Sequence, residues 1–208
     1  MSKIEELEKL RHQISAESTL PLRAGATNLV FGHGNPDSPL FFLGEAPGFN
    51  EDQQGIPFCG RAGKLLNETL LEIGIKREDI WISNVVYFRP PENRDPLPEE
   101  LEAFKPFVDK QIEIIDPKVI VTLGRFSMGK FLPDTKISQV HGQPKWINFA
   151  GKRRVLIPMY HPAAALRGTT ILNQFKLDFT AIPKVLKKLD RLEREGNPDS
   201  GSDEAPSA

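Results

Sequence analysis

Glu45, Asn84 and His161 are hydrogen-bonding side chains of three different kinds, and each lies in or just after a short apolar run. Glu45 comes one residue after PLFFLG (39–44), Asn84 lies late in IWISNVVY (80–87), and His161 closes RVLIPMYH (154–161). Gly124 closes a fourth run, KVIVTLG (118–124), and Phe58 lies in the long loop after the first. A carboxylate can position or deprotonate a water. An amide offers a donor and an acceptor with which to read a base edge. An imidazole can donate to a carbonyl whose charge grows as a bond breaks, and a phenyl ring supplies a stacking face. Together the set suits a planar, hydrogen-bonding heterocycle. Glycines at 44, 48, 60, 63, 124 and 168 allow the backbone to approach phosphates closely.

The elements that hold these residues follow from the pattern around them. The four runs are rich in Val, Ile, Leu and Phe without strict alternation, which predicts strands buried on both faces. Helical patterns lie between them. Ile4, Leu7, Leu10 and Ile14 share a face of a helix over residues 3–15, and AGKLLNETLLEI (62–73) ends at Gly74. A helix over 98–115 opens with PEEL, a short one follows Gly124, and a long one spans about 171–195 with a bend at Pro183. This order predicts an α/β fold: a single domain with a central, mostly parallel four-stranded sheet flanked by helices. Ligands of such sheets sit beyond the carboxyl ends of the strands, where Glu45, Asn84, Gly124 and His161 all fall.

Composition narrows the class. The 208 residues are 39% hydrophobic and 26% charged, ordinary values for a globular chain, and every apolar run is strand-sized, too short to span a membrane. MSKIEELEKLRHQ lacks the apolar centre of a signal peptide, so the expectation is an intracellular, soluble protein. The lone Cys59 excludes an internal disulfide and an all-cysteine metal site within one chain. His12, His33 and His141 show no metal-ligand spacing, and no GxSxG nucleophile motif occurs. Residues 195–208, EGNPDSGSDEAPSA, hold four of the 28 acids and no base, and read as a disordered acidic tail on a domain spanning 1–194. The domain then carries 27 bases against 24 acids, compatible with a polyanionic partner.

Three segments carry a resemblance. GEAPGFNEDQQGIPFCGRAGKLL, NVVYFRPPENRDP and YHPAAALR, in this order, resemble the signature regions of family 4 uracil-DNA glycosylases, across roughly residues 27–188. The resemblance implies a DNA repair enzyme that flips uracil out of DNA and hydrolyses its N-glycosidic bond. Glu45 would position or polarise the attacking water, with Glu51 and Asp52 as a secondary acidic pair. Phe58 would stack on uracil, Ala46 would contribute backbone, Asn84 would read O4 and N3, His161 would stabilise charge at O2, and Asn93 would face the sugar. Leu166 and Arg167 match the loop that enters the duplex as the base leaves. Arg61, Lys64, Gly124, Arg125 and Lys130 are candidate phosphate contacts. The implied partner is uracil-containing DNA, met by a monomer in the cytoplasm, at the nucleoid in a bacterium. Two other readings stand beside this one: a relative that binds damage without cleaving, and a nucleotide-binding α/β module.

The chain departs from the resemblance in two places. A relative that traps DNA covalently carries KRRIH in the loop after the second strand, whereas here RPPENRDPLP has no histidine, so trapping is not expected. Family members also hold an iron–sulfur cluster through four cysteines. The matching positions are Glu17, Leu20, Phe88 and Phe104, so the expectation is no cofactor, with the three apolar residues filling the cluster's volume.

Overall fold

The computed structural model describes residues 1–195; the rest of the expected acidic tail, from Gly196, lies outside the described residues. Strands β1 (His33–Gly34), β2 (Leu40–Gly44), β3 (Trp81–Asn84), β4 (Val119–Leu123), β5 (Lys145–Phe149) and β6 (Lys152–Met159) form one sheet in the order β1-β3-β2-β4-β6-β5. The four inner strands are mutually parallel and correspond to the four apolar runs. The sheet has six strands rather than four because an antiparallel strand is added at each edge. Neither carried a signal of core burial. β1 is two residues long, and β5, half-exposed, is pinned to β6 by a two-residue hairpin turn. That turn, Ala150–Gly151, has φ of 51° and 72°, the left-handed pair that matches strand twist.

Alternate residues of each inner strand serve opposite layers. Phe42, Ile82, Val121 and Ile157 pack beneath α3 (Arg61–Glu72), α8 (Thr169–Phe179) and α9 (Ala181–Arg194). Phe41, Leu43, Ile120 and Leu156 meet α1 (Lys3–Ala16) and α4 (Pro98–Ile115) on the other side. Ser2 and Glu5 cap α1 reciprocally, so the helix starts where its side chains satisfy the first free N–H groups. Leu7, Leu10 and Ile14 are buried as the periodicity predicts, but Ile4, 62% exposed, lies beyond the edge of the sheet layer.

Two other expectations change. The long helix over 171–195 is two helices, broken at Thr180 and not at Pro183. Pro183 sits in the first turn of α9, where no intrahelical N–H bond is lost. The second strand ends at Asn84, although Val85–Phe88 stay buried: Val85 and Val86 N–H still donate to the Gly44 and Glu45 carbonyls, and Tyr87 and Phe88 pack against Phe104 of α4. A buried apolar run alone does not separate strand from core-lining loop.

Candidate active site

The carboxyl ends of the inner strands open into a cavity of about 530 Å³, within the usual range for small-ligand sites. Gly44 ends β2 beside Asn84 at the end of β3, and a Cβ on Gly44 would stand 2.4 Å from Asn84 Oδ1 and 2.5 Å from Phe58 Cζ. Any other residue would push both away. Gly63, in the first turn of α3, admits the Phe58 carbonyl in the same way, since its Cβ would lie 1.6 Å from that oxygen. Phe58 is held there at φ 55°, its ring 5.8 Å from the His161 ring and tilted by 33°. Phe58, Asn84 and His161 thus bound one space, although 26 and 77 residues separate them along the chain.

Each polar group has a defined state. Asn84 is 1% exposed, and its Oδ1 is buried without a hydrogen-bond partner. Such an acceptor is costly unless a ligand donates to it. His161 caps the short helix α7 (Pro162–Ala165): Ala163 N–H donates to its Nδ1 at 3.1 Å. With Nδ1 accepting, a neutral ring carries its proton on Nε2, which becomes a donor. Burial, with Arg167 nearby, pushes the His161 pKa down to about 4, so the ring is neutral at physiological pH. Glu45 moves the other way. Burial raises its pKa to about 7, helped by the Asp95 carboxylate and opposed by Arg125.

Of the expected site residues in the signature segments, all line this cavity except Asp52 and three that are exposed outside it, Arg61, Lys64 and Leu166. Glu51 lines it while its Oε1 accepts the Gly60 N–H at 2.9 Å, which ties α2 (Phe49–Gln54) to the start of α3. Asp52 does not belong to the site. Buried, it accepts N–H bonds from Thr27 (2.8 Å) and Asn28 (3.2 Å), anchoring that segment to α2. Lys130 is also corrected: its side chain, 10% exposed, pairs with Asp109 and packs by Phe131 and Phe149, away from the residues that line the cavity.

Sequence reasoning missed Asp95, Arg94 and Tyr160, which also line the cavity. Arg94 is clamped by two bonds to the buried Glu100, at 2.8 and 2.6 Å, and Asp95 pairs with Arg125 across the cavity. Both lie in RPPENRDP, but charge alone does not tell which members of a loop face inward. Tyr160 precedes His161 and stacks on His141 at 4.4 Å, while His141 Nδ1 bonds Asp178 at 2.7 Å.

A mostly parallel α/β sheet with a carboxylate, an amide whose oxygen is unpaired, a neutral imidazole and a buried ring at its strand ends suits a planar, hydrogen-bonding ligand. Residues 31–184 match the uracil DNA glycosylase superfamily. The chain is 41% identical over 190 residues to the Type-4 uracil-DNA glycosylase of Archaeoglobus fulgidus, covering 89% of this chain and 96% of that one. With the Type-4 uracil-DNA glycosylase of Sulfurisphaera tokodaii it shares 41% over 187 residues (86% and 84% of the two chains). With that of Thermotoga maritima it shares 46% over 163 residues (77% and 83%). The chain belongs to the uracil DNA glycosylase superfamily.

Proposed function

We propose that this protein excises uracil from DNA by hydrolysis, using Glu45, Asn84, Phe58 and His161, without an iron–sulfur cluster. The observation that carries the reading is the unpaired Oδ1 of Asn84. Uracil presents a protonated N3 and a carbonyl O4: the N3–H satisfies that oxygen, and the Asn84 amide nitrogen donates to O4. Cytosine, with an unprotonated N3, would set acceptor against acceptor, which is where discrimination arises. Phe58 provides the stacking face. As the bond between C1′ and N1 lengthens, negative charge gathers on the departing base, and the Nε2–H of His161 donates to O2. A neutral donor serves here because the ring already carries its proton where charge develops. Glu45, with a pKa of about 7, is poised to orient and deprotonate water for attack on C1′. The products are free uracil and an abasic site. Glu51, Ala46 and Asn93 shape the wall facing the sugar, and Gly124, Arg125 and Arg167 meet phosphates at the rim. Leu166, exposed beyond the rim, fills the vacated stack, with Arg61 and Lys64 as outlying phosphate contacts.

The residues at the cluster positions do not fit a cluster. Leu20, Phe88 and Phe104 have no ligating atom, and they are 8%, 4% and 0% exposed within one apolar layer. Phe88 and Phe104 meet edge-on at 6.0 Å, and Arg23 sits 5.8 Å from the Phe88 ring while donating to the Ile14 carbonyl. These contacts tie the segment after α1 to the RPPENRDP loop, the link that the resemblance assigns to the cluster. Glu17 stays outside, its carboxylate accepting from the Thr19 hydroxyl at 2.6 Å. Among the described residues no helix is long and apolar enough to cross a membrane. A monomer acting on DNA in the cytoplasm fits this reading.

Incubation with a uracil-containing oligonucleotide, followed by alkaline cleavage, tests the activity. Alkali-labile sites at uracil are the expected result. Binding without such sites would replace the reading with damage recognition. Iron content near zero and no broad visible absorption are expected of the same preparation.

A further inference from the structure

We infer that Phe49 and Arg89 form a second base-binding site beside the pocket, a shelf on which a base neighbouring the excised uracil stacks. This rests on the DNA-acting reading above and deepens it. Phe49 is the first residue of α2, yet it is 56% exposed in a chain that buries most of its other phenylalanines. One face of the ring is covered by the Arg89 guanidinium, 5.2 Å from the ring centroid. That cation is itself fixed: Arg89 Nε donates to Asn93 Oδ1 at 2.7 Å, which leaves its two terminal nitrogens to donate elsewhere. The shelf adjoins the cavity at three points, because Gly48 and Pro90, the chain neighbours of Phe49 and Arg89, line it, and so does Asn93.

The occupant follows from the charge. Two neighbouring arginines already face carboxylates, Arg94 with Glu100 and Arg125 with Asp95. Among the described residues Arg89 has no carboxylate within ion-pair distance, so it keeps its charge for an anion. An aromatic face with an adjacent unneutralised arginine is the arrangement that takes a nucleotide: base on the ring, phosphate on the guanidinium. The strand entering the cavity brings such nucleotides within reach. In a duplex the flanking bases are already stacked and paired, so the shelf acts chiefly on single-stranded DNA.

The test measures binding to a single-stranded oligonucleotide carrying one 2′-fluoro-deoxyuridine, which holds the base against excision. Phe49→Ala should weaken it about tenfold, Phe49→Trp should retain it, and the same change should cost less than about twofold on the matched duplex. Oligonucleotides lacking the base immediately 5′ or immediately 3′ of uracil identify the occupant. With one of them the Phe49→Ala penalty should vanish, because the stacking partner is gone. Arg89→Ala should weaken single-strand binding and lower its salt dependence. An equal penalty on every oligonucleotide would make Phe49 merely structural and overturn the inference, as would no penalty at all. Wild-type protein that fails to excise uracil from an ordinary oligonucleotide, while the shelf behaves as stated, would overturn the glycosylase reading instead.

Discussion

The RPPENRDP loop joins two regions built on opposite terms. On one side, the crevice at the strand ends holds an unpaired buried oxygen at Asn84, left-handed backbone at Phe58, Glu92 and Asn93, and a carboxyl whose pKa is shifted far from its usual range. On the other, Leu20, Phe88, Tyr87 and Phe104 fill a wedge with apolar packing, the Tyr87 and Phe104 rings 5.7 Å apart and edge-on. The crevice keeps polar groups that a ligand can engage, and the wedge places apolar packing where the backbone must be held. Change in the first region should appear as lost chemistry, and change in the second as lost stability.

The largest effect should come from the crevice. Glu45→Gln and His161→Ala should each lower the single-turnover excision rate by about 10²–10⁴-fold, with little loss of DNA binding. The wild-type rate should rise with pH through about 7, as Glu45 gives up its proton, and be flat in Glu45→Gln. A Glu45→Gln rate equal to wild type would remove this carboxylate from the mechanism.

Next in size is the wedge. Phe104→Ala, a fully buried ring lost, should cost about 3–5 kcal/mol of stability, with Phe88→Ala similar. A calorimetric scan reads this directly. Unchanged melting in the Phe88/Phe104 double alanine variant would mean that these rings hold nothing in place.

A smaller effect crosses the two regions. Glu45 keeps its proton to about pH 7 when folded, against 4.5 as an unperturbed group. Between those values the unfolded chain releases the proton first, so stability falls as pH rises from about 4.5 to about 7. Glu45→Gln carries no such loss, and its melting temperature should gain on wild type between about pH 5 and pH 8. A constant difference would argue against the shift.

The smallest contrast separates two cations. Arg167→Ala should reduce the slope of log affinity against log salt by about 1, while Lys130→Ala should leave the slope alone and lower the melting temperature. Equal slopes for both variants would return Lys130 to the DNA surface.

The residues themselves determined the parallel core and the place of the chemistry. Four β-rich apolar runs alternating with helical patterns can bury their hydrophobic faces in few ways, and the polar residue at the end of each run must then fall on one edge. Glu45, Asn84 and His161 were legible for that reason, while Phe58, in the loop after the first run, was legible from the signature segment around it. The tertiary structure decided what depends on distant partners. Asp52 and Glu51 are chemically alike and adjacent, yet one anchors Thr27 and the other lines the cavity, because α2 presents them to different neighbours. Lys130 lost its candidacy to Asp109, while Asp95 gained a place beside Glu45. The short edge strands depended on partners already in the sheet, since β1 has only two residues of its own and β5 leans on β6 through a turn. Charge and burial of a side chain are properties of its surroundings, and those are assembled only when segments far apart in the chain meet.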